Sequence, residues 1–267
     1  MKALRIVLLL FLAAMTVLTI FGFVAKPWQP PEVASKAGEG IDSVINYLLV
    51  STGIVFVIGH AGLIWLIWRY SGKSDAGYKP ETPKAQWMWA LVPVLCMAAI
   101  SEIGVLVIGG PAWNELYGMP PDDALKVEVV GKQFEWIVRY AGKDGKFDPT
   151  KPQKVREPRN PLGFVDEDND DIVARNVLTV PVNKPVVVKL RTLDVQHSFS
   201  IPAFRLKQDL VPGLPTQTRF TATKTGKFEI VCAELCGMGH YRMRGEVHVL
   251  EQKDFDEWMR KKQAELE

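Results

Sequence analysis

Cysteine and histidine are scarce in this chain, which has three cysteines and four histidines among 267 residues. None of the cysteines belongs to a C-x-x-C-H sequence, so the chain has no site for the covalent attachment of a c-type haem. The formal net charge of +2 is too small to indicate a nucleic-acid-binding surface. Any redox or metal chemistry must therefore rely on a small number of side chains.

Apolar residues are concentrated in the first 110 positions. Two runs, at 44–68 and 87–110, are each long enough to cross ~30 Å of hydrocarbon as helices, which predicts a transmembrane hairpin in residues 26–110. Basic residues outnumber acidic ones between the two runs, so this loop is predicted to be cytoplasmic and residues 111–267 to lie outside. Residues 1–25 fit either a signal peptide, which we favour slightly, or a third transmembrane helix.

From Leu125 onward the chain consists of short alternating or β-branched runs punctuated by proline and glycine. We predict strands at 126–130, 134–140, 176–180, 186–190, 218–223, 227–231 and 246–250. Such a series is typical of a Greek-key sandwich or barrel, here covering residues 111–252. A polar insertion at 141–175 contains the acidic run 166–171, which is either a solvated loop or a surface that attracts a basic partner. Residues 253–267 are predicted to form a short charged helical tail.

The densest group of metal-ligating side chains lies near the end of the β-rich region. The segment C-A-E-L-C-G-M-G-H-Y-R-M runs from Cys232 to Met243, and His197 precedes it in a strand-rich stretch. A disulfide, a pair of core cysteines and a zinc site are the alternative interpretations. Zinc rarely binds a thioether, whereas copper accepts a long, weak bond to methionine, so Met243 favours copper. Mononuclear copper needs only one cysteine, and the second suggests two thiolates bridging a dinuclear centre.

The pattern C-x-E-x-C-G-x-x-H-x-x-M, preceded by D-V-x-H-S at 194–198, resembles subunit II of the haem-copper cytochrome c oxidases. The L-K-x-D sequence at 206–209, the V-P-G turn at 211–213 and the aromatic segment at 131–136 follow in the positions that this family uses. The resemblance implies a membrane-anchored all-β protein. Its transmembrane helical hairpin, with a signal or third helix before it, would precede a cupredoxin-like Greek-key β-sandwich.

The resemblance also implies a ligand set for a dinuclear copper A centre. Two cysteines would bridge both coppers, one histidine and the methionine would complete the first metal, and the other histidine and a backbone carbonyl the second. Cys232 and Cys236 would be the bridging cysteines. His197 and Met243 would complete the first copper, and His240 and the backbone carbonyl of Glu234 the second. The side chain of Glu234 would in addition help to hold a magnesium or manganese ion facing subunit I, since a carboxylate suits a hard cation.

The partners that the resemblance implies are those of an oxidase. Subunit I would receive the electrons at a haem and reduce oxygen to water, subunit III and membrane lipid would be neighbours, and a cytochrome c or a c-type haem subunit would be the donor. The copper domain would face the periplasm from the bacterial inner membrane. Phe134, where the family has a tryptophan, and Trp136 are candidate points of electron transfer from the donor, although both also suit core packing. Asp194 is a candidate for an acidic docking face.

Three residues of the membrane region depart from a plain apolar span. Gln86 stands where the family often has a glutamate at the mouth of a proton channel, and an amide releases no proton. Glu81 either replaces that glutamate or is a solvated loop charge. Glu102 lies within the hydrocarbon stretch and must pair, protonate or face protein, so we expect it to contact subunit I. The alternative functions are a copper carrier for oxidase assembly and a copper-free quinol oxidase subunit II.

Overall fold

The computed structural model of this chain describes residues 2–25, 29–71, 80–166 and 169–266. They divide into a helical unit, Met1–Gln29 with Asp42–Gly110, and a β unit, Pro30–Ile41 with Pro111–Glu267. The boundaries drawn from the sequence place residues 30–41 with the helices, whereas the structure groups them with the β unit.

Backbone pairing explains why this short segment belongs to the β unit. Ala34 N donates to Ala203 O, and Thr223 N donates to Ala34 O, each at 2.9 Å. Ser35 is fully buried and forms an isolated bridge with Ala222. The segment therefore adds to the β unit in the manner of a short strand.

Among the residues that the structure describes, three helices are long and apolar enough to cross a membrane. They are α1 (Lys2–Ala25), α2 (Lys36–Tyr70) and a continuous third helix made of α3 (Pro83–Met97), a π-helical stretch (Ala98–Ile103) and α4 (Gly104–Tyr117). The predicted runs at 44–68 and 87–110 lie inside the second and third helices. Residues 72–79, which carry much of the basic charge used to predict the orientation, lie outside the described residues.

Side-chain hydrogen bonds occur at the start of the third helix and at its π-helical stretch. Thr82 caps α3 by accepting a hydrogen bond from Ala85 N at 3.3 Å. In the π-helical stretch, the carbonyl of Ile100 accepts a hydrogen bond from the Tyr47 hydroxyl at 2.5 Å. Glu102 is exposed on the same stretch and forms no hydrogen bond or ion pair with any residue that the structure describes. A carboxylate at this depth is costly unless it meets a partner.

The described part of the β unit contains ten strands in two five-stranded sheets. The first sheet has the order β3-β2-β1-β5-β8 and the second the order β4-β10-β9-β6-β7. In chain order the strands are β1 (Leu125–Lys132), β2 (Glu135–Tyr140), β3 (Ile172–Arg175), β4 (Val177–Pro181), β5 (Pro185–Thr192), β6 (His197–Ile201), β7 (Leu206–Leu210), β8 (Thr216–Thr221), β9 (Gly226–Cys232) and β10 (Arg244–Leu250). A charged helix, α5 (Gln252–Ala264), follows.

The hydrophobic core lies between the two sheets. Alternate residues point inward along each strand, for example Val127 and Val129 of β1 and Val247 and Val249 of β10, and all four are almost completely buried. This period of two is what the sequence pattern predicted. Trp136 is the largest side chain in this core. Burial of so many aliphatic and aromatic groups makes the sandwich a rigid support for its loops.

The insertion between β2 and β3 is a structured part of the β unit. Leu162 and Phe164 are buried against Val130 and Ile137 in a second, smaller hydrophobic cluster. Two residues of the acidic run at 166–171, Glu167 and Asp168, lie outside the described residues. Asp171 is only 1% exposed, so this member of the run cannot attract a donor from solution.

Candidate metal centre

Strand pairing brings His197 beside the cysteine loop. Cys232 is the last residue of β9, and β10 begins at Arg244, so the loop that carries the candidate ligands connects two antiparallel neighbours. His197 begins β6, which pairs with β9 so that Phe199 lies opposite Cys232. Ligands distant in sequence thus meet at one end of the second sheet.

The donor atoms of all six predicted ligands converge. The two cysteine Sγ atoms lie 3.8 Å apart. Around them are two imidazole nitrogens, one thioether sulfur and one carbonyl oxygen, at distances between 3.1 and 3.9 Å from a cysteine sulfur. These contacts are Cys232 Sγ to His197 Nδ1 at 3.9 Å and to Glu234 O at 3.1 Å, and Cys236 Sγ to His240 Nδ1 and to Met243 Sδ, both at 3.7 Å.

The chemistry of this donor set fits copper. The sulfur separation of 3.8 Å is far longer than a disulfide bond of about 2.05 Å, so both thiols are free. Two metal–sulfur bonds of about 2.3 Å span more than this separation, which lets both thiolates share a metal ion. His197, Cys232, Cys236 and Met243 are buried. Soft thiolates with imidazoles and a buried thioether are the ligands that copper prefers.

Neighbouring groups hold His197 in a single orientation. Its Nε2 lies 2.8 Å from Asp194 Oδ1, which leaves Nδ1 directed towards Cys232. A Cβ atom on Gly131 would lie 3.0 Å from both His197 Cδ2 and Leu210 Cδ2, so the glycine gives the imidazole room and a larger residue would press on it. Such fixed rings are typical of histidines that bind metals.

The two thiols differ in their electrostatic environment. Burial opposes ionisation of Cys232, but hydrogen bonds with His197, Ser198 N and the Glu234 backbone outweigh it and lower the pKa of Cys232 to about 6. Burial and the neighbouring Cys232 thiolate raise the pKa of Cys236. Burial likewise opposes protonation of His197, but its contacts with Cys232 and Asp194 outweigh this and raise its pKa. One thiol is therefore activated as a ligand before any metal arrives.

The two candidate points of electron transfer have different environments. Phe134 is half-buried, and its ring packs against the cysteine loop at Gly237 and Gly239. Trp136 is completely buried, with its ring edge-on to His197 at a centroid distance of 6.1 Å. Only Phe134 of this pair is therefore accessible from the surface.

The remaining predicted residues lie at the edge of the site or away from it. The Glu234 carboxylate is half-buried and forms no hydrogen bond or ion pair with the described part of the chain. Asp194 accepts hydrogen bonds from Gln133 N and Val195 N, so its negative charge is partly neutralised within the site. His60 contacts its own helix through Phe56 O, and His248 contacts Glu246. His60 and His248 are therefore not ligands of this cluster.

Sequence reasoning missed two features around the loop. Gln133 contacts the loop directly through its side-chain amide, and only its position beside Phe134 hinted at this. Three apolar side chains of the loop are strongly exposed, namely Leu235, Met238 and Tyr241 at 77%, 94% and 76%. Such clustering of exposed apolar groups is typical of an interaction surface.

Comparison with known proteins identifies the family of this chain. Residues 125–249 match the family described as cytochrome C oxidase subunit II, periplasmic domain. The alternative cytochrome c oxidase subunit 2 of Bradyrhizobium diazoefficiens is 35% identical over 240 residues, which cover 88% of this chain and 84% of that protein. The cytochrome c oxidase subunit 2 of Cereibacter sphaeroides is 27% identical over 245 residues, which cover 85% of this chain and 77% of that protein.

Among solved structures, the periplasmic domain of subunit II of the cytochrome oxidase of Bradyrhizobium japonicum has 34% sequence identity and a TM-score of 0.41. The match covers 56% of this chain and 100% of that domain. The predicted fold class, a membrane-anchored all-β protein with a cupredoxin-like sandwich, is confirmed by the family match together with the apolar helices and the two sheets. The chain belongs to the cytochrome c oxidase subunit II family.

Proposed function

We propose that this chain is the electron-accepting subunit of a cytochrome c oxidase, taking electrons from cytochrome c outside the membrane and delivering them to the haem of subunit I. The convergence of five soft and borderline donors and one carbonyl oxygen in one largely buried site carries this proposal. Oxygen would be reduced in subunit I, so the chain is inactive alone.

Each ligand residue has a distinct task in this proposal. A pair of copper ions bound here would supply one-electron redox chemistry. Cys232 and Cys236 would hold it as bridging thiolates, and the other donors would complete the two coordination shells. Asp194 keeps the His197 ring in place through its 2.8 Å contact. The β strands on either side of the loop restrict movement of the ligands, which favours fast electron transfer because little must rearrange.

The surroundings of the site support particular partners. The exposed loop residues Leu235, Met238 and Tyr241 offer an apolar face that subunit I or the donor would cover. Phe134 is half-buried and packs against the cysteine loop, so it is the aromatic side chain through which an electron would enter. Asp194 is 27% exposed in its side chain and would contribute a partly neutralised charge to donor docking.

The Glu234 side chain suits a second metal between subunits. Its backbone carbonyl points to Cys232 Sγ, while its carboxylate has no partner within the described chain. A magnesium or manganese ion would accept this oxygen ligand if subunit I supplied the others. The helices would lie in the bacterial inner membrane beside subunits I and III, with the β unit on the periplasmic side.

Copper stoichiometry and electron paramagnetic resonance test the proposal. The whole chain in detergent is the right sample, because a fragment starting near Pro111 would lack the segment Pro30–Ile41 that belongs to the β unit. We expect two coppers per chain and a seven-line spectrum. Cys232→Ser or Cys236→Ser should abolish this spectrum, whereas Cys96→Ser, outside the site, should preserve it.

The alternatives give different results in the same experiment. A copper carrier would hold one labile copper with a four-line spectrum, or copper(I) alone, and a structural quinol oxidase subunit would hold none. Two coppers retained in either cysteine variant would overturn the ligand assignment, because a serine hydroxyl does not replace a bridging thiolate.

A further inference from the structure

The turn between β1 and β2 contacts the candidate metal centre at two separate points. Gln133 Nε2 donates to the carbonyl of Cys236 at 2.6 Å. The backbone N of the same residue donates to Asp194 Oδ2 at 2.8 Å, and the other oxygen of Asp194 contacts His197. Gln133 thus joins the cysteine side of the site to one of its histidines, although it is not itself a ligand.

The cysteine loop is shaped to receive this side chain. Gly237 follows Cys236 with a φ of +129°, and a Cβ at this position would lie 2.7 Å from Gln133 Nε2. Glycine therefore serves both the unusual backbone conformation and the close approach of the amide. The Phe134 ring covers the next part of the loop, so the turn and the loop fit together over several residues.

We propose that Gln133 is a positioning residue that fixes the Cys236 peptide and thereby the Sγ atom of Cys236 relative to Cys232 and His197. The carbonyl of Cys236 can only accept, so the amide nitrogen must face it. A peptide held at its carbonyl cannot rotate freely, and the attached side chain keeps its direction. This inference deepens the proposed function and rests on it, because the reason to hold Cys236 still is to hold copper still.

Two other roles for Gln133 make different predictions. The residue is exposed, and if its role were to contact the donor protein, its loss would raise the KM for the donor and leave the copper spectrum unchanged. If it served only to stabilise the fold, its loss would lower the melting temperature without altering the spectrum or the loop.

Gln133→Glu and Gln133→Ala are the informative variants. Glutamate has almost the same shape but, when ionised, offers no donor to the Cys236 carbonyl, and both changes leave the backbone bond to Asp194 in place. Gln217→Glu is the matched control, because Gln217 is an exposed glutamine of β8. All chains are studied at full length in detergent.

We expect both Gln133 variants to change the copper hyperfine splitting and to lose copper to a chelator about tenfold faster than wild type, as found for partners that orient metal ligands. Gln217→Glu should behave as wild type. If the Gln133 variants keep the wild-type spectrum and release rate, the positioning role is wrong, whether or not the KM for the donor rises.

Amide hydrogen exchange in the copper-free chain separates this inference from the proposed function. Loss of the Gln133 bond should speed exchange at residues 236–239 relative to wild type and to Gln217→Glu. If wild type binds no copper pair, the proposed function fails, and this exchange result still decides whether Gln133 orders the loop. If wild type binds the copper pair, an unchanged spectrum and release rate overturn the inference whatever the exchange result; if it does not, unchanged exchange overturns it.

Discussion

Replacement of Arg139 should strongly destabilise the β unit, because it breaks a buried ion pair. Its side chain is almost fully buried, as is that of Asp171, and Arg139 Nε donates to Asp171 Oδ2 at 2.6 Å. It also pairs with Glu128 at 3.1 Å and donates to the carbonyl of Asp148. These contacts attach the insertion between β2 and β3 to the first sheet.

Arg139→Leu leaves Asp171 as a buried carboxylate without its cation, while Glu128 keeps Arg191 at 3.1 Å. Breaking one side of a buried pair costs about 3–5 kcal/mol. At roughly 2–4 °C per kcal/mol for a domain of this size, the melting temperature should fall by about 6–20 °C. Thermal unfolding of the full chain in detergent, followed by near-ultraviolet circular dichroism, measures this change.

The penalty should depend on pH in a defined direction. Burial already raises the pKa of Asp171, against the opposing hydrogen bonds from Asp148 N and Arg139. Removing Arg139 raises it further, so Asp171 in the variant takes up a proton at mildly acidic pH and the free-energy cost becomes smaller. As pH rises above the unfolded-state pKa, the unfolded chain releases this proton more readily, and the variant loses stability.

Two companion variants make the result decisive. Arg175 forms exposed ion pairs with Glu135 and Glu157, so Arg175→Leu should cost less than about 1 kcal/mol. The double variant Arg139→Leu with Asp171→Leu should recover much of the lost stability, since no isolated charge remains buried. An Arg139→Leu variant no less stable than Arg175→Leu would refute the reasoning.

Three further predictions concern the metal centre and the membrane. Met243→Leu, a swap of similar volume, should keep copper but change the reduction potential measured by redox titration, and an unchanged potential would exclude the thioether as a ligand. Gly131→Ala should place a methyl group against His197 and Leu210, which should lower the free energy of unfolding by about 1–3 kcal/mol and alter the copper spectrum. A wild-type spectrum would show that this methyl group does not displace His197. Glu102→Leu should reduce co-purification with co-expressed subunit I, whereas Glu102→Gln should retain it because an amide still forms hydrogen bonds. Equal recovery of subunit I with the wild type and both variants would argue against this contact.

Local sequence patterns predicted the features that depend on local chemistry. The seven expected strands all overlap observed strands, and the two predicted spans lie within observed helices. Alternation of apolar residues indicates a half-buried strand, and a long apolar run indicates a transmembrane helix. The ligand loop was evident because few residue types bind copper. The ligand roles themselves remain predictions.

The missed features depend on contacts between distant residues. Three strands were not predicted. β6 and β7, H-S-F-S-I and L-K-Q-D-L, contain few β-branched residues, and β3, I-V-A-R, has only four residues and lies at the end of the stretch predicted as a polar insertion. Tertiary pairing makes them strands, and β6 carries His197. The contact between Gln133 and Cys236 joins residues 103 positions apart, and no pattern along the chain encodes that distance.

The segment around Ala34 also restricts the order in which the protein can be built during synthesis. Ala34 is made before either membrane-spanning run that the sequence defines, yet its two backbone partners, Ala203 and Thr223, are made only after both runs and most of the β strands. Closing a loop of this length is entropically unfavourable until the strands around it have formed. The segment around Ala34 must therefore stay unpaired until Ala203 and residues 222–223 have been made, and a nascent chain halted before Thr223 cannot complete this pairing.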